Sequence, residues 1–281
     1  MQKWVVSKND LNLTSRQNGI SAFIRTRNDG DYIEQVIKSH LPFLDEIVIV
    51  YNRCTDNTPE IVEKYQSLYP GKIKVFKYEP DVYPQGSKEC QSLPPNSPHS
   101  LVNYYNYALC KTTRKIALKV DGDQIAIPSE YHKMVRFVKS MKKFPFYFTF
   151  RGINLWDKNG QIYVLQNGPL TVFDRGFFEV NNSTWHILDK VRALELFRGG
   201  NHAPKKHVTP AYFHVKSMKQ DRGLGNYDLQ DNPDSRYHGV IEKYYTSPKV
   251  WTWAEFKKYE PQARYVIDPE SLGIEPILDR E

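Results

Sequence analysis

Lys115-Ile116-Ala117-Leu118-Lys119-Val120-Asp121-Gly122-Asp123 is an apolar run that ends abruptly in two aspartates around a glycine. Such a run reads as a strand of a parallel sheet covered on both faces. In open α/β sheets ligands bind beyond the carboxyl ends of the strands. Asp121 and Asp123 are therefore expected in a crevice, and Gly122 would let the backbone approach a ligand closely. Two adjacent carboxylates repel unless positive charge lies between them. A hard divalent ion, Mn²⁺ or Mg²⁺, takes oxygen ligands and keeps positions open for substrate phosphates. An Asp-Gly turn is also common at any strand end, so the flanking sequence has to decide.

Upstream, Ile20 to Arg25 reads as a strand, and Ile33, Val36, Ile37 and Leu41 follow helical spacing after the turn Asn28-Asp29-Gly30. Glu46 to Tyr51 is a second, β-branched strand. Thr58 is placed as the N-cap of the next helix, with Pro59 as its first residue. A strand over Lys72 to Phe76 follows, then a proline-rich loop from Tyr78 to Ser100, then a helix over Leu101 to Cys110. Downstream come a helix over Ser129 to Met141 and strands near Phe146 to Arg151 and Ile162 to Leu165. This alternation predicts an α/β fold, a Rossmann-like doubly wound and mostly parallel sheet. Residues 1-175 would form the α/β half that contains the Asp121-Gly122-Asp123 turn. Residues 176-281, irregular and rich in aromatics, are expected to shape a pocket of the same compact domain rather than extend the sheet.

Composition narrows the partners. The 281 residues carry 39 Lys plus Arg against 32 Asp plus Glu, a net charge of +7, with 40% hydrophobic residues. The excess of positive charge suits acidic partners, but the basic residues are scattered, so no nucleic-acid stripe is visible. Cys54, Cys90 and Cys110 fit neither a disulfide framework nor a zinc pair. No apolar run approaches the roughly 20 residues of a membrane span, and the first residues lack a signal-type apolar segment. A cytoplasmic location is expected, with peripheral contact to the inner face of an anionic membrane.

Five segments occur in order: Ile24-Arg25-Thr26-Arg27-Asn28-Asp29, Asp45 to Val50, Thr55-Asp56-Asn57-Thr58, Tyr105-Asn106-Tyr107-Ala108-Leu109, and Leu118 to Asp123. Together they resemble the family 2 glycosyltransferases of the GT-A fold over about residues 20 to 130. The resemblance implies a metal-dependent, inverting transfer of sugar from a nucleotide-diphosphate donor to a glycan or lipid-linked acceptor. It places Arg25, Arg27 and Asn28 against the nucleotide, and the turn with Asn52 and Asp56 at the base and ribose. Asn106 matches the family's Asn before the metal strand, while Tyr105 replaces its usual Arg. Tyr51 and Asn52 stand where the family often has acidic residues, which leaves the base open.

Further along, Gly176-Phe177-Phe178-Glu179 is similar to the family's acceptor-side segment, and the spacing from there puts Asp189 in the place of its catalytic base. Asp174, Glu179 and Glu195 compete for that role. His214 could complete the metal site with Asp121 and Asp123, and Lys216, Lys219 and Arg222 could neutralise a diphosphate. His186, His202, His207 and His238 read as packing residues. Trp156, Trp185 and Tyr212 could stack on sugars, although core packing is their ordinary use. Gly223-Leu224-Gly225-Asn226 is no phosphate loop and is expected to form a flexible lid. Two other readings stay open: a sugar-phosphate nucleotidyltransferase, whose usual Gly-rich opening loop is missing here, and a non-catalytic carbohydrate-binding protein with a structural ion.

Overall fold

The computed structural model describes residues 3–277 other than 86, 143, 145–146, 172–174, 190–193, 199–204, 234 and 236; Asp189 and Glu195 are described in their backbone only. The first half alternates as expected: β1 (Gln17–Thr26), α1 (Ile33–His40), β2 (Glu46–Tyr51), α2 (Thr58–Leu68), β3 (Ile73–Lys77), α3 (Lys88–Ser92), α4 (Leu101–Cys110), β4 (Arg114–Asp121), β5 (Gln124–Ala126) and α5 (Pro128–Ser140). The long loop after β3 thus carries one short helix, capped by the Ser87 hydroxyl accepting from the Cys90 N–H at 3.1 Å. The start of α2 lies one residue earlier than read, because Asn57 occupies the N-cap position and the Thr58 hydroxyl instead accepts from the Asp29 N–H at 2.9 Å.

β1 pairs in parallel with β2 on one side and β4 on the other, and β2 pairs in parallel with β3. The chain therefore builds outward from β1 to β3 and then returns to place β4 on the far side of β1. That reversal creates the switch point where such sheets open a ligand crevice. Alternate residues of each strand feed two cores. Ile20, Ala22 and Ile24 of β1 pack with α1, α2 and α5 on one face, while Phe23, Val48, Val50 and Ala117 pack with α4 on the other. Uniformly apolar strands are the consequence of burial on both faces, as in the α/β, doubly wound arrangement expected of the GT-A type.

The second half differs from the expectation. After β6 (Phe148–Lys158) and β7 (Gln161–Leu165), the strands β8 (Arg175–Glu179), β11 (Lys205–His214) and β12 (Val250–Trp251) all join the same sheet, which among the described residues has ten strands. β8 wedges antiparallel between β4 and β6, and β11 pairs with both β6 and β5. The rings of these strands meet tilted, Phe177 at 46° to Phe148 and at 43° to Phe150. A separate hairpin, β9 (Trp185–Asp189) with β10 (Leu194–Arg198), rests beside α4, and the described chain closes with α6 (Tyr237–Val240) and α7 (Trp253–Tyr259). Among the described residues no helix is long and apolar enough to cross a membrane.

Candidate active site at the switch point

At the carboxyl end of the sheet, Arg25 of β1 lies in register with Asp121 of β4. The chain turns through Gly122 and Asp123 into β5, and the Val215 N–H donates to the Asp123 carbonyl at 2.9 Å, which fixes the turn against the end of β11. This brings His214 and Asp123 together: His214 Nε2 stands 3.3 Å from Asp123 Oδ1. The other imidazole nitrogen, Nδ1, is 2.8 Å from Asn154 Oδ1. Asn154 has its orientation set by its amide donating to the Gly168 carbonyl at 2.7 Å. Its Oδ1 is consequently an acceptor, so Nδ1 carries a proton, and in the neutral imidazole Nε2 would present a lone pair to the carboxylate. Two acceptors facing each other call for a cation between them. Asp123 Oδ1 is buried and has no hydrogen-bond partner among the described residues, which agrees with that demand.

The three residues read as metal ligands are not equivalent. The Asp121 carboxylate faces the Lys119 ammonium at 3.1 Å and the Gln124 amide at 3.5 Å. Among the described residues no three His, Cys, Asp or Glu side chains form a ready cage. The residues present therefore fit a divalent ion held by Asp123 and His214, one oxygen and one imidazole nitrogen, with the remaining positions left for ligand oxygens. Asn154 supplies the outer contact that orients the histidine.

Directly behind the turn lies a buried ion pair that sequence reading missed. Lys219 Nζ is 2.8 Å from Asp29 Oδ1, with the two side chains only 3% and 9% exposed. Thr26 Oγ1 donates to the same carboxylate at 2.6 Å. A Cβ on Gly122 would come within 2.2 Å of Asp29 Oδ2. The close approach that Gly122 permits is thus to Asp29, not to a ligand. Burial drives the Asp29 carboxyl upward, Lys219 pulls it back, and the charge of Asp123 adds to the rise. Burial would lower Lys219, but Asp29, Asp221 and Asp123 keep it above the ordinary lysine range. In the sequence Asp29 reads as part of a turn, and the signal pointing further is its place beside Arg25, Arg27 and Asn28.

The residues assigned to the nucleotide divide into two groups. Asn28, in a left-handed conformation at φ 54°, exchanges hydrogen bonds with Thr55, donating to Oγ1 at 3.1 Å and accepting from N–H at 2.8 Å. Arg27 stands 3.4 Å from Asp228, and Lys216 donates to the Tyr227 hydroxyl at 2.7 Å. These three lie in the turns that follow β1 and β11. Four others are committed to the scaffold. Arg25 lies with its guanidinium 3.1 Å from the centroid of the Tyr105 ring, a cation–π stack. Asn52 is buried and donates to the carbonyls of Tyr78 and Pro80 at 2.6 and 2.9 Å, so it anchors the loop after β3. Asp56 accepts from the N–H groups of Gly30 and Thr58 at 2.8 and 3.1 Å. Asn106 is buried, donating to the His186 carbonyl at 3.0 Å and accepting from its N–H at 2.9 Å, which docks β9 on α4.

Among the carboxylates read as bases, Glu179 lies opposite Ile116, towards the amino end of β4 and away from Asp123, so it is removed from that role. Asp189 pairs through its backbone with Leu194 and Glu195 with Leu188; their side chains, and all of Asp174, lie outside the described residues. His186 and His207 are held by packing or by Glu130, as read, and His238 meets the Asn232 carbonyl at 3.2 Å. His202 falls outside the described residues. Trp156 and Tyr212 are core residues, and Arg222 stacks on Trp156 at 4.3 Å. The segment expected as a flexible lid is tied down: Asp221 accepts from the Gly223 and Gly225 N–H groups at 2.6 and 3.0 Å, and the Asn226 amide donates to the Arg27 carbonyl at 3.1 Å.

A family model described as Beta-1,4-N-acetylgalactosaminyltransferase (CgtA) matches residues 10–176, more than half of the chain. No curated protein matches at a significant level. Solved structures similar to the chain include S. aureus TarS 1-349 in complex with UDP, 15% identical, with a TM-score of 0.43 over 85% of this chain and 77% of that one. Another is glucosyl-3-phosphoglycerate synthase from Mycobacterium tuberculosis in complex with Mn²⁺, UDP and glucosyl-3-phosphoglycerate, 15% identical, with a TM-score of 0.33 over 57% and 51%. The matched residues run from before β1 to the start of β8 and so include Asp29, the turn after β4 and Asn154. On that match the chain belongs to the CgtA family of glycosyltransferases.

Proposed function

We propose that the protein moves N-acetylgalactosamine from a nucleotide-diphosphate sugar to a hydroxyl of a glycan or lipid-linked acceptor, with inversion and with Mn²⁺ or Mg²⁺ at Asp123 and His214. The observation that carries this reading is the buried, unpartnered Asp123 Oδ1 facing His214 Nε2 at the switch point. The family description supports the sugar. Breaking the anomeric bond leaves negative charge on the departing diphosphate, and a divalent ion, when bound, supplies the charge that stabilises it. Lys216, reaching the crevice beside Tyr227, adds a cation for the same oxygens. Asn28 and Thr55 hold the two loops at the nucleotide side in one arrangement. Lys119 beside Asp121 keeps that carboxylate from competing for the diphosphate cations. Asp189, on the strand that Asn106 docks, takes the acceptor proton as the new bond forms on the opposite face of the sugar. Glu195 and Asp174 are the next candidates. A cytoplasmic enzyme of net charge +7 is suited to work against the anionic inner face of a membrane, where lipid-linked acceptors sit.

The test combines turnover and calorimetry. UDP-N-acetylgalactosamine within a panel of nucleotide sugars, with Mn²⁺, should release the sugar; release of pyrophosphate from a sugar phosphate and nucleotide triphosphate would favour the nucleotidyltransferase instead. Asp123→Ala should abolish binding of nucleotide diphosphate, and wild-type affinity in that variant, or in excess chelator, would overturn the metal assignment. Asp189→Asn should keep donor affinity and lower turnover by roughly 10² to 10⁴.

A further inference from the structure

The opposite end of the sheet holds a second cleft, of about 590 Å³, between the amino ends of β1 and β4 and the strand β3. β1 rises about 3.3 Å per residue, so its ten residues put this cleft about 30 Å from the Asp123 turn. Arg16, Lys74, Lys111 and Arg114 line it together with the hydroxyls of Ser15 and Thr113, and no Asp or Glu is among its lining residues. The nearest carboxylate is Glu46, and its capacity is spent. It accepts from Lys74 at 2.6 Å, from the N–H and hydroxyl of Thr113 at 2.8 Å each, and from the Ser21 hydroxyl. Asp10, further out, pairs with Lys3 at 2.7 Å. The Cys110 thiol, also in the lining, is pushed up to about 12 by burial and supplies no negative charge.

Among the described residues that leaves three cations of the lining without a counter-charge. Arg16 is only 7% exposed. Its Nε donates to the Leu11 carbonyl at 2.9 Å, and its Nη1 to Thr112 Oγ1 at 3.1 Å and the Arg114 carbonyl at 2.7 Å, all neutral acceptors. Its Nη2 has no partner among the described residues, and neither has Arg114 Nε. Arg114 Nη1 donates to the Gln17 side chain. Lys111 stands over the rings of Tyr107 and Phe76 at 4.6 and 5.1 Å, contacts that attract a cation but do not neutralise it. A guanidinium taken out of water with part of its donor set unused is costly unless an anion meets it.

We propose that this cleft binds a phosphate group, carried by a sugar phosphate or by the headgroup of an anionic lipid, at a site separate from the donor crevice. The Arg16 guanidinium, sealed beneath the lining, adds positive potential, while Arg114 and Lys111 in the lining give the planar and point-charge donors that tetrahedral oxyanions use. The volume falls within the range of small-molecule sites, about 300 to 1,000 Å³. This inference does not depend on the transfer reaction proposed above, and it concerns residues that take no part in it.

The experiment uses the full chain in excess chelator, so that divalent ions play no role. Glucose 1-phosphate and inorganic phosphate are titrated while backbone amide resonances are followed. In parallel, vesicles of phosphatidylglycerol and of phosphatidylcholine are sedimented with the protein. A phosphate site moves the amides of Thr112, Thr113 and Arg114 with saturation, or brings the protein down with phosphatidylglycerol alone. Each of Lys111→Gln and Arg114→Gln then weakens that response by about 10-fold, as the loss of one charge-assisted contact does. Response to the sugar phosphate alone assigns the free ligand, and response to vesicles alone assigns the lipid. Shifts confined to the Asp123 and His214 end, no response to any probe, or unchanged affinity in both variants would overturn the proposal. Lys111 follows the last turn of α4 at its C-cap, so Lys111→Gln decides the matter if Arg114→Gln fails to fold.

Discussion

Replacing Lys219 by Met removes one half of the ion pair beneath the Asp123 turn and leaves the other half in place. Asp29 would keep its contact with the Thr26 hydroxyl but lose the ammonium at 2.8 Å. It would also still feel the charge of Asp123. An uncompensated buried charge of this kind costs about 3 to 5 kcal/mol. At about 2 to 4 °C per kcal/mol for a chain somewhat smaller than this one, the melting temperature should fall by roughly 6 to 20 °C. The sign of the pH dependence is a further check. With Lys219 gone, burial and Asp123 raise the folded-state pKa of Asp29 above its unfolded value. The folded state then binds a proton more readily, and the deficit shrinks as the pH falls from 7 towards 5. Urea unfolding of the wild type, Lys219→Met, Asp29→Asn and the double variant at pH 7 and pH 5 reads both quantities. The double variant should recover much of the loss, because no isolated charge remains. A loss below about 1 kcal/mol for Lys219→Met, or the same loss at both pH values, would refute the reasoning, since an exposed pair is worth only that much.

Gly122→Ala should destabilise by about 1 to 3 kcal/mol by overpacking, because Asp29 is held by Lys219 and Thr26 and cannot yield to a Cβ 2.2 Å away; thermal melting measures it. Asn106→Ala strands the N–H and carbonyl of His186, at about 1 to 3 kcal/mol for each buried group left unsatisfied, and should lower turnover more than donor affinity, read by kinetics beside calorimetry. Acidification should also weaken the fold: burial brings His40 down to about 4, so the neutral ring contributes fully above about 6.5 and its contribution is lost as pH falls towards 4. This amounts to about 2 kcal/mol between pH 7 and pH 5, and His40→Phe should flatten that part of the stability curve.

The contrast between the two halves of the chain has a physical origin. Strands β1, β2 and β4 are covered on both faces, and the helices between them are amphipathic, so burial wrote itself into the spacing of apolar residues. The residues that touch across the site had no such imprint. Asn52, Asp56 and Asn106 belong to segments whose order was legible, yet each spends its side chain on a backbone group far away in sequence, Asn106 on His186 at 80 residues' distance. Asp29 finds Lys219 across 190 residues, and nothing in either neighbourhood announces the other.

Sequence alone therefore determined the parallel half of the sheet and the place of the Asp121-Gly122-Asp123 turn at the end of its fourth strand, because local periodicity and chain order are sufficient for those, while the family resemblance supplied the candidacy of His214. Only the tertiary structure decided that Asp123 rather than Asp121 faces His214, that Asn154 fixes the imidazole's proton on the far nitrogen, and that the second half extends the sheet. Those outcomes depend on which side chains meet when distant segments pack, and the cost of burying charge without a partner selects among the possible meetings.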